Sequence, residues 1–356
     1  MGLTALQEQG EGLGAAAVGE YRGATTAARF ADLQTELEAL HTACGVYDLG
    51  YRAKLSITGG DRVRWLNGMV TNNIRDLATG HGVYAFLLNP QGRILGDLYA
   101  YNWGESITVD TDRSQVEKIL ATFDHYIIMD DVEVKDLSEQ VTAMGIAGPN
   151  ARQVARACGI EIPESLPLQI VEATCTCDCE CTRCPCVRSE NAELESYELW
   201  LDPRNAKKTW EALISHGATP VGSEALELVR IQSGIPRYGV DIRERDLPQE
   251  TEQMRALNFN KGCYIGQEIV ERIRSRGAVH RKFTGFVWIN DDVVTPGSKV
   301  RLGEKEVGEV TTAHLLGEKH SGLALGYIRR EFAIPGKEVL IGITPARVAD
   351  LPFRKL

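Results

Sequence analysis

Apolar positions recur along this chain in two rhythms, and each predicts a kind of element. Spacings of three and four predict amphipathic helices. One runs over 28–43 with Phe30, Leu33, Leu37 and Leu40 on a stripe, and another over 113–124 with Val116, Ile119, Leu120 and Phe123. A third occupies 150–158 behind Pro149, a residue favoured at helix starts. Helices are also expected at 61–68, 204–216 and 222–233. Period-two alternation predicts strands at Lys54–Thr58, 82–88, 93–102, Ser106–Asp110, Ile127–Val134, Val141–Ala147, 168–173 and Tyr197–Leu201. Asn89-Pro90-Gln91-Gly92 has the composition of a turn, so the strands flanking it form a hairpin. Tyr197–Leu201 is the expected partner of 168–173. From Phe283 onward, short strands separated by Gly- and Pro-bearing turns predict a small terminal β-barrel. Residues 1–25, rich in Gly and Ala without period, read as a flexible tail.

Mixed short strands and helices over 356 residues give an α+β class with more than one lobe. No apolar run reaches bilayer-spanning length. The first twenty residues hold no Lys or Arg and no apolar core, so no secretory signal is expected and the cytoplasm is the expected compartment. A net charge of −10 argues against direct nucleic-acid binding. One stretch is locally basic: Lys261, Arg272, Arg274, Arg276, Arg281 and Lys282 stand against Glu268 and Glu271. It is either a solvated helix face or a cradle for an anionic ligand tail or acidic partner.

Six of the nine cysteines fall at 175, 177, 179, 181, 184 and 186. If extended, the first four share a face. Cys181 and Cys184 have C-x-x-C spacing and are candidate metal ligands, although a second, separated pair of the zinc-ribbon kind is missing. Either 174–187 is a solvent-exposed hairpin insertion without a committed role, or its thiols bind soft metals.

Residues 261–276 form a glycine-punctuated loop that runs into a helix with Ile265, Ile269 and Ile273 as its buried stripe. Cys263 stands just before that helix, beside Lys261, the setting of a reactive cysteine. The alternative is a small buried hydrophobe at a tight junction. Asp97 and Glu198 are acids within strands, each either on the polar face or in a cavity. Arg230 closes the helix 222–233, where it compensates the helix dipole or binds an anion.

Lys261-Gly-Cys-Tyr-Ile-Gly-Gln-Glu268 resembles the K-G-C-Y-x-G-Q-E signature of the YgfZ family, folate-binding proteins linked to iron–sulfur cluster maintenance. That family shares a superfamily with the aminomethyltransferase, or T-protein, of the glycine cleavage system. The resemblance covers roughly 28–350. Val46-Tyr47-Asp48-Leu49 resembles the superfamily's "G-V-x-D-L" turn, and Gly234–Asp241 its "G-x-x-x-x-G-x-D" element. The turn before Glu198 departs from the pattern, with Glu193-Leu194-Glu195-Ser196 in place of "Y-T-G-E". The implied fold is α+β: aminomethyltransferase-like lobes of antiparallel sheet and helices around a central channel over 26–280, then a β-barrel over 281–350.

The implied ligand is tetrahydrofolate or a one-carbon derivative. On the resemblance Glu198 grips the pterin amino groups, Asp97 accepts at a folate ring nitrogen, and Arg230, Lys261 and Tyr264 complete the contacts. Cys263 is the reactive residue, with Asp97, and holds a transient iron–sulfur cluster together with a partner. This implies an accessory protein, more binder than enzyme, that supports iron–sulfur assembly or repair and, indirectly, cluster-dependent tRNA modification. Its partners are then cluster carriers and client proteins. The alternative is an aminomethyltransferase of glycine cleavage using tetrahydrofolate and a lipoyl carrier protein. Asp97, Glu198 and Arg230 fit that enzyme, whereas Tyr264 and Gln267 depart from its usual "F-I-G-K/R-E". A bare docking module is the third reading.

Overall fold

The computed structural model describes residues 2–10, 13–176, 183–191, 193–277, 279–316 and 320–353. Two compact units alternate along the sequence rather than following it in blocks. The first comprises Met1–Gly68, Asn72–Ala85 and Leu98–Leu226, and the second Met69–Thr71, Phe86–Asp97 and Glu227–Leu356.

In the first unit the expected N-terminal tail is instead ordered. A helical turn, Ala5–Glu8, precedes a hairpin of Ala17–Tyr21 and Ala24–Arg29. Its turn is Arg22-Gly23, both at positive φ, which matches the twist of a two-residue hairpin. The reason for the order is polar. Asp48 is buried, and a buried carboxylate must be hydrogen-bonded. The hydroxyls of Thr4 and Thr26 and the Gly50 N–H donate to it. Composition shows neither partner.

The first long helix is Leu33–Thr42, shorter than expected, because Asp32 caps it by accepting from the Thr35 N–H at 2.9 Å. Phe30 therefore precedes the helix and packs on Trp210, with ring centroids 5.5 Å apart. Glu36 is fully buried in this helix and accepts the N–H groups of Phe30, Ala31 and Gly222.

A seven-stranded sheet runs in the order Ile160–Glu161, Ile170–Cys175, Arg183–Arg188, Ser196–Leu201, Thr142–Ala147, Gly45–Asp48 and Thr219–Pro220. The expected pairing of 168–173 with Tyr197–Leu201 is corrected, since Arg183–Arg188 lies between them. The cysteine-rich segment is thus partly sheet. Cys175, Cys184 and Cys186 are buried in one core with Cys44 and Cys158, where free thiols behave as small hydrophobes. Cys177, Cys179 and Cys181 lie outside the described residues.

A five-stranded sheet has the order Gly82–Leu88, Ile94–Asn102, Ile107–Asp112, Arg52–Thr58 and Glu133–Asp136. The strand expected over Ile127–Val134 is only Glu133–Asp136. Ile127 is the C-cap of the helix Val116–Tyr126, and Ile128 and Met129 after it are 81% and 94% exposed.

The second unit holds the expected barrel, closed by six strands in the order Arg281–Trp288, Ser321–Arg329, Lys305–Leu316, Lys299–Leu302, Glu338–Ile341 and Thr344–Ala349. Phe286, Trp288, Val300, Val310 and Ile328 fill its core. The octet leads into the helix Gln267–Arg276, whose N-cap is Gly266 at φ 80°. A Cβ there would lie 2.6 Å from the Asn89 carbonyl oxygen, so glycine is required by both space and conformation. The expected isoleucine stripe is only half-buried. Ile265 precedes the helix, and Val270 is the fully buried residue.

Candidate functional site

Two strands of the first unit carry charge at every second residue. Arg52 lies directly opposite Asp112, and Lys54 opposite Asp110. Arg52 reaches both acids, with Nε 3.0 Å from Asp110 Oδ1 and Nη1 2.6 Å from Asp112 Oδ1. Lys54 Nζ lies 2.9 Å from Asp110 Oδ1, with both side chains 1% exposed. Arg22 closes the chain of pairs on Asp112 at 3.2 Å. The two arginines outweigh the cost of burial at Asp112 and hold its pKa low. Sequence reasoning passed over these residues. The available signal was Arg-x-Lys on one strand and Asp-x-Asp on another, each pair on a single face by alternation.

Above this ladder the Lys54 ammonium lies 4.7 Å from the centroid of the Trp200 ring, a cation–π contact. Tyr101 meets the same ring edge-on at 5.3 Å. Glu198 is two residues from Trp200 on Ser196–Leu201, hence on the same face. It stands opposite Gly145, and Tyr47 stands opposite Gly145 from the other side. A Cβ on residue 145 would lie 1.9 Å from the Tyr47 ring, so this glycine makes room for the ring beside the acid.

Glu198 is not the surface acid that alternation alone allowed. Among the described residues its Oε2 is sealed from solvent without a well-formed hydrogen bond, and so is the Trp200 indole N–H, which lies close enough to stabilise the carboxylate. Burial pushes the Glu198 pKa up and Asp110 adds to the rise, while Lys54, Arg52 and the nearby indole N–H pull it down in part. The indole is near enough to be felt electrostatically but does not form a well-aligned bond. An unmatched buried acceptor costs about 1–3 kcal/mol, so it calls for a donor from elsewhere. A pterin's adjacent N–H donors fit that demand, because one carboxylate can accept two of them.

In the second unit, Asp97 is half-buried on Ile94–Asn102, on the opposite face from buried Ile94, Gly96 and Leu98. Cys263 is an exposed free thiol, so the buried-hydrophobe alternative is excluded, but three residues separate it from the first residue of the helix. Lys261 is buried, donates to the Val70 carbonyl at 2.6 Å and lies 5.0 Å from the Tyr264 ring centroid. Burial, with Glu271 contributing, pushes the Tyr264 phenol up to about 12.

Arg230 requires a correction. It is 5% exposed, and all five of its N–H donors are used inside this unit. Nε and Nη2 grip Glu227, Nη1 donates to Asp241 at 2.7 Å and to the Ile235 carbonyl, and Nη2 also reaches Thr312. Asp241 in turn accepts the hydroxyls of Thr311 and Thr312 and the Arg237 N–H. Arg230 therefore ties the loop after its helix to a barrel strand and has no donor left for folate. The basic run is also largely committed: Arg281 pairs with Asp246 and Glu250, Lys282 with Glu252, and Arg274 with Glu271.

Cys184, a sequence candidate for metal binding, lies buried in the core with its thiol 3.7 Å from that of Cys175, while its C-x-x-C partner Cys181 lies outside the described residues. Among the described residues no group of three or more His, Cys, Asp or Glu could hold a metal ion, and no helix is long and apolar enough to cross a membrane.

Residues 8–261 match the GCVT N-terminal domain, and residues 281–355 match the glycine cleavage T-protein C-terminal barrel domain. The chain belongs to this glycine cleavage T-protein family. An aminomethyltransferase of Rubrobacter xylanophilus is 28% identical over 98% of this chain and 93% of its own length. A putative chloroplastic transferase of Arabidopsis thaliana is 27% identical over 86% of this chain and 70% of its own. In fold, the chain is similar to the glycine cleavage system aminomethyltransferase T of Bartonella henselae, with a TM-score of 0.87 at 21% identity over 99% and 98% of the two chains. The α+β aminomethyltransferase-like fold with its closed terminal barrel is thereby shown. These matches reach the superfamily; the narrower resemblance of the octet is a separate matter.

Proposed function

We propose that this chain binds tetrahydrofolate or a one-carbon derivative and acts as an aminomethyltransferase-type transferase. One observation carries the reading: the buried Glu198 oxygen for which the described residues offer no well-formed donor. The names of the relatives support the reaction class. Tetrahydrofolate, when bound, supplies a ring nitrogen that takes up the one-carbon unit. Glu198 accepts the pterin N–H pair and fixes the ring's orientation. By resemblance, Asp97 acts as hydrogen-bond or proton acceptor at a ring nitrogen. Lys261 and Tyr264 are further contacts on the same basis.

A second reading stays in view because Cys263 is exposed within the octet. It is the folate-binding accessory protein for iron–sulfur assembly or repair, with an indirect effect on cluster-dependent tRNA modification. One thiolate cannot close a cluster, so this role needs a carrier or client protein to supply the remaining ligands.

Calorimetric titration with 5-formyltetrahydrofolate tests the shared step. Wild type binds and Glu198→Gln binds about ten- to a hundredfold more weakly, the range of one charged hydrogen bond. No binding by wild type overturns both readings. Turnover with an aminomethylated lipoyl carrier protein and tetrahydrofolate then selects the transferase. Binding without turnover selects the accessory role, provided Cys263→Ser fails to restore cluster-dependent enzymes in a strain lacking its own such protein.

A further inference from the structure

Glu198 faces an unusual balance of buried charge. Arg22, Arg52 and Lys54 are three cations, and Asp110 and Asp112 are two carboxylates among them. Glu198 is the acid on which Lys54 and Arg52 of this cluster also act. Five elements around it contribute titratable groups, while the paired strand Thr142–Ala147 contributes none. Arg52–Thr58 brings Lys54 and Arg52, Ile107–Asp112 brings Asp110, Ile94–Asn102 brings Tyr101, Gly45–Asp48 brings Tyr47, and Arg183–Arg188 brings Cys186. Burial raises both phenols and pushes the Cys186 thiol up to about 12, so these three are uncharged near neutrality. The contest over Glu198 is then between Asp110, which opposes its ionisation, and Lys54 and Arg52, which favour it.

We propose that the buried Lys54 ammonium, held in place by Asp110 and backed by Arg52, is the electrostatic support that keeps Glu198 anionic and able to accept the pterin. This rests on the folate reading above. Lys54 acts through Glu198, so it is a positioning residue. Its ammonium is anchored twice, by Asp110 at 2.9 Å and by the face of Trp200 at 4.7 Å. Both anchors hold it on the side of the sheet that Glu198 shares with Trp200. A neutral Glu198 would turn a hydroxyl toward the pterin's own donors and lose an acceptor. Ligand affinity must therefore fall as pH drops through the Glu198 pKa, and the support sets where that acid limb lies.

The test is the affinity for 5-formyltetrahydrofolate across pH 5–9, followed by quenching of tryptophan fluorescence, with folding checked by near-ultraviolet circular dichroism. The N5-formyl group keeps that ligand nitrogen from titrating in the range. Wild type should show its acid limb below neutrality, and Glu198→Gln should show weak binding without one. Lys54→Met should move the limb up by about one pH unit, the effect of a single adjacent charge. Binding is then about tenfold weaker on the acid side and recovers at high pH. Lys54→Arg should keep the wild-type profile. Should Lys54→Met fail to fold, Asp110→Asn carries the test with opposite sign, moving the limb down. A folded Lys54→Met or Asp110→Asn with an unmoved limb overturns the proposal, as does a wild-type limb at or above neutrality. In both cases the folate reading stands. Wild type that binds at no pH removes that reading, and the inference with it.

Discussion

Two buried charge clusters, one in each unit, are built from the same residue types and come out differently. Around Arg230 in the second unit, every guanidinium N–H has an acceptor, and Asp241, itself 0% exposed, is held by four donors. Around Arg52 and Lys54 in the first unit, the cations are paired, yet one carboxylate oxygen of Glu198 is left over. A closed cluster fixes a loop. An open one holds a place for something else. Burial of charge alone therefore does not mark a site.

Three experiments press on this contrast. The largest effect is expected at the closed cluster. Arg230→Met leaves Asp241 buried without its cation and should lower unfolding stability by about 3–5 kcal/mol in denaturant titration. Next comes Glu198→Gln, which should leave the melting temperature unchanged or slightly raised. Because burial and Asp110 lift the Glu198 pKa above the ordinary carboxylate value, its ionised form detracts from stability as pH rises through that pKa. A fall in stability comparable to that of Arg230→Met would erase the distinction between the clusters. The smallest effect lies in the barrel. Burial pulls the Glu309 pKa up, but Arg243, Lys299 and Arg245 outweigh it and set it at about 2. Its stabilisation is therefore complete above the unfolded carboxylate pKa and lost as pH falls toward 2. Glu309→Gln should flatten the acid side of the stability profile: its loss, small because solvent screens these partly exposed pairs, is present at pH 7 and vanishes as pH falls toward 2.

The barrel and the helices were legible because their patterns are local: turns at regular intervals, and apolar stripes such as Ile119 and Phe123. What escaped was set by partners distant in sequence. The N-terminal hairpin looked like a tail because Thr4 gains its role only from Asp48, 44 positions away. The strand carrying Cys184 was missed because spacing cannot reveal that it pairs inside a sheet. Glu198 and Arg230 were both singled out, yet alternation and helix position could not say which of them has its polar groups matched within its own unit. Lys54 and Asp110 went unremarked because a charge in a strand reads as solvent-facing until its opposite is seen across the ladder.

Glu36 closes three backbone N–H groups at once, one of them belonging to Gly222, 186 positions downstream. In the same way Gly45–Asp48 sits between Thr142–Ala147 and Thr219–Pro220, strands synthesised long after it. During synthesis the earliest elements must therefore wait, unpaired, for the latest. A nascent chain halted before residue 219 would expose a bare β-edge, which makes the timing of translation, more than the strength of any one contact, the point of greatest exposure to aggregation.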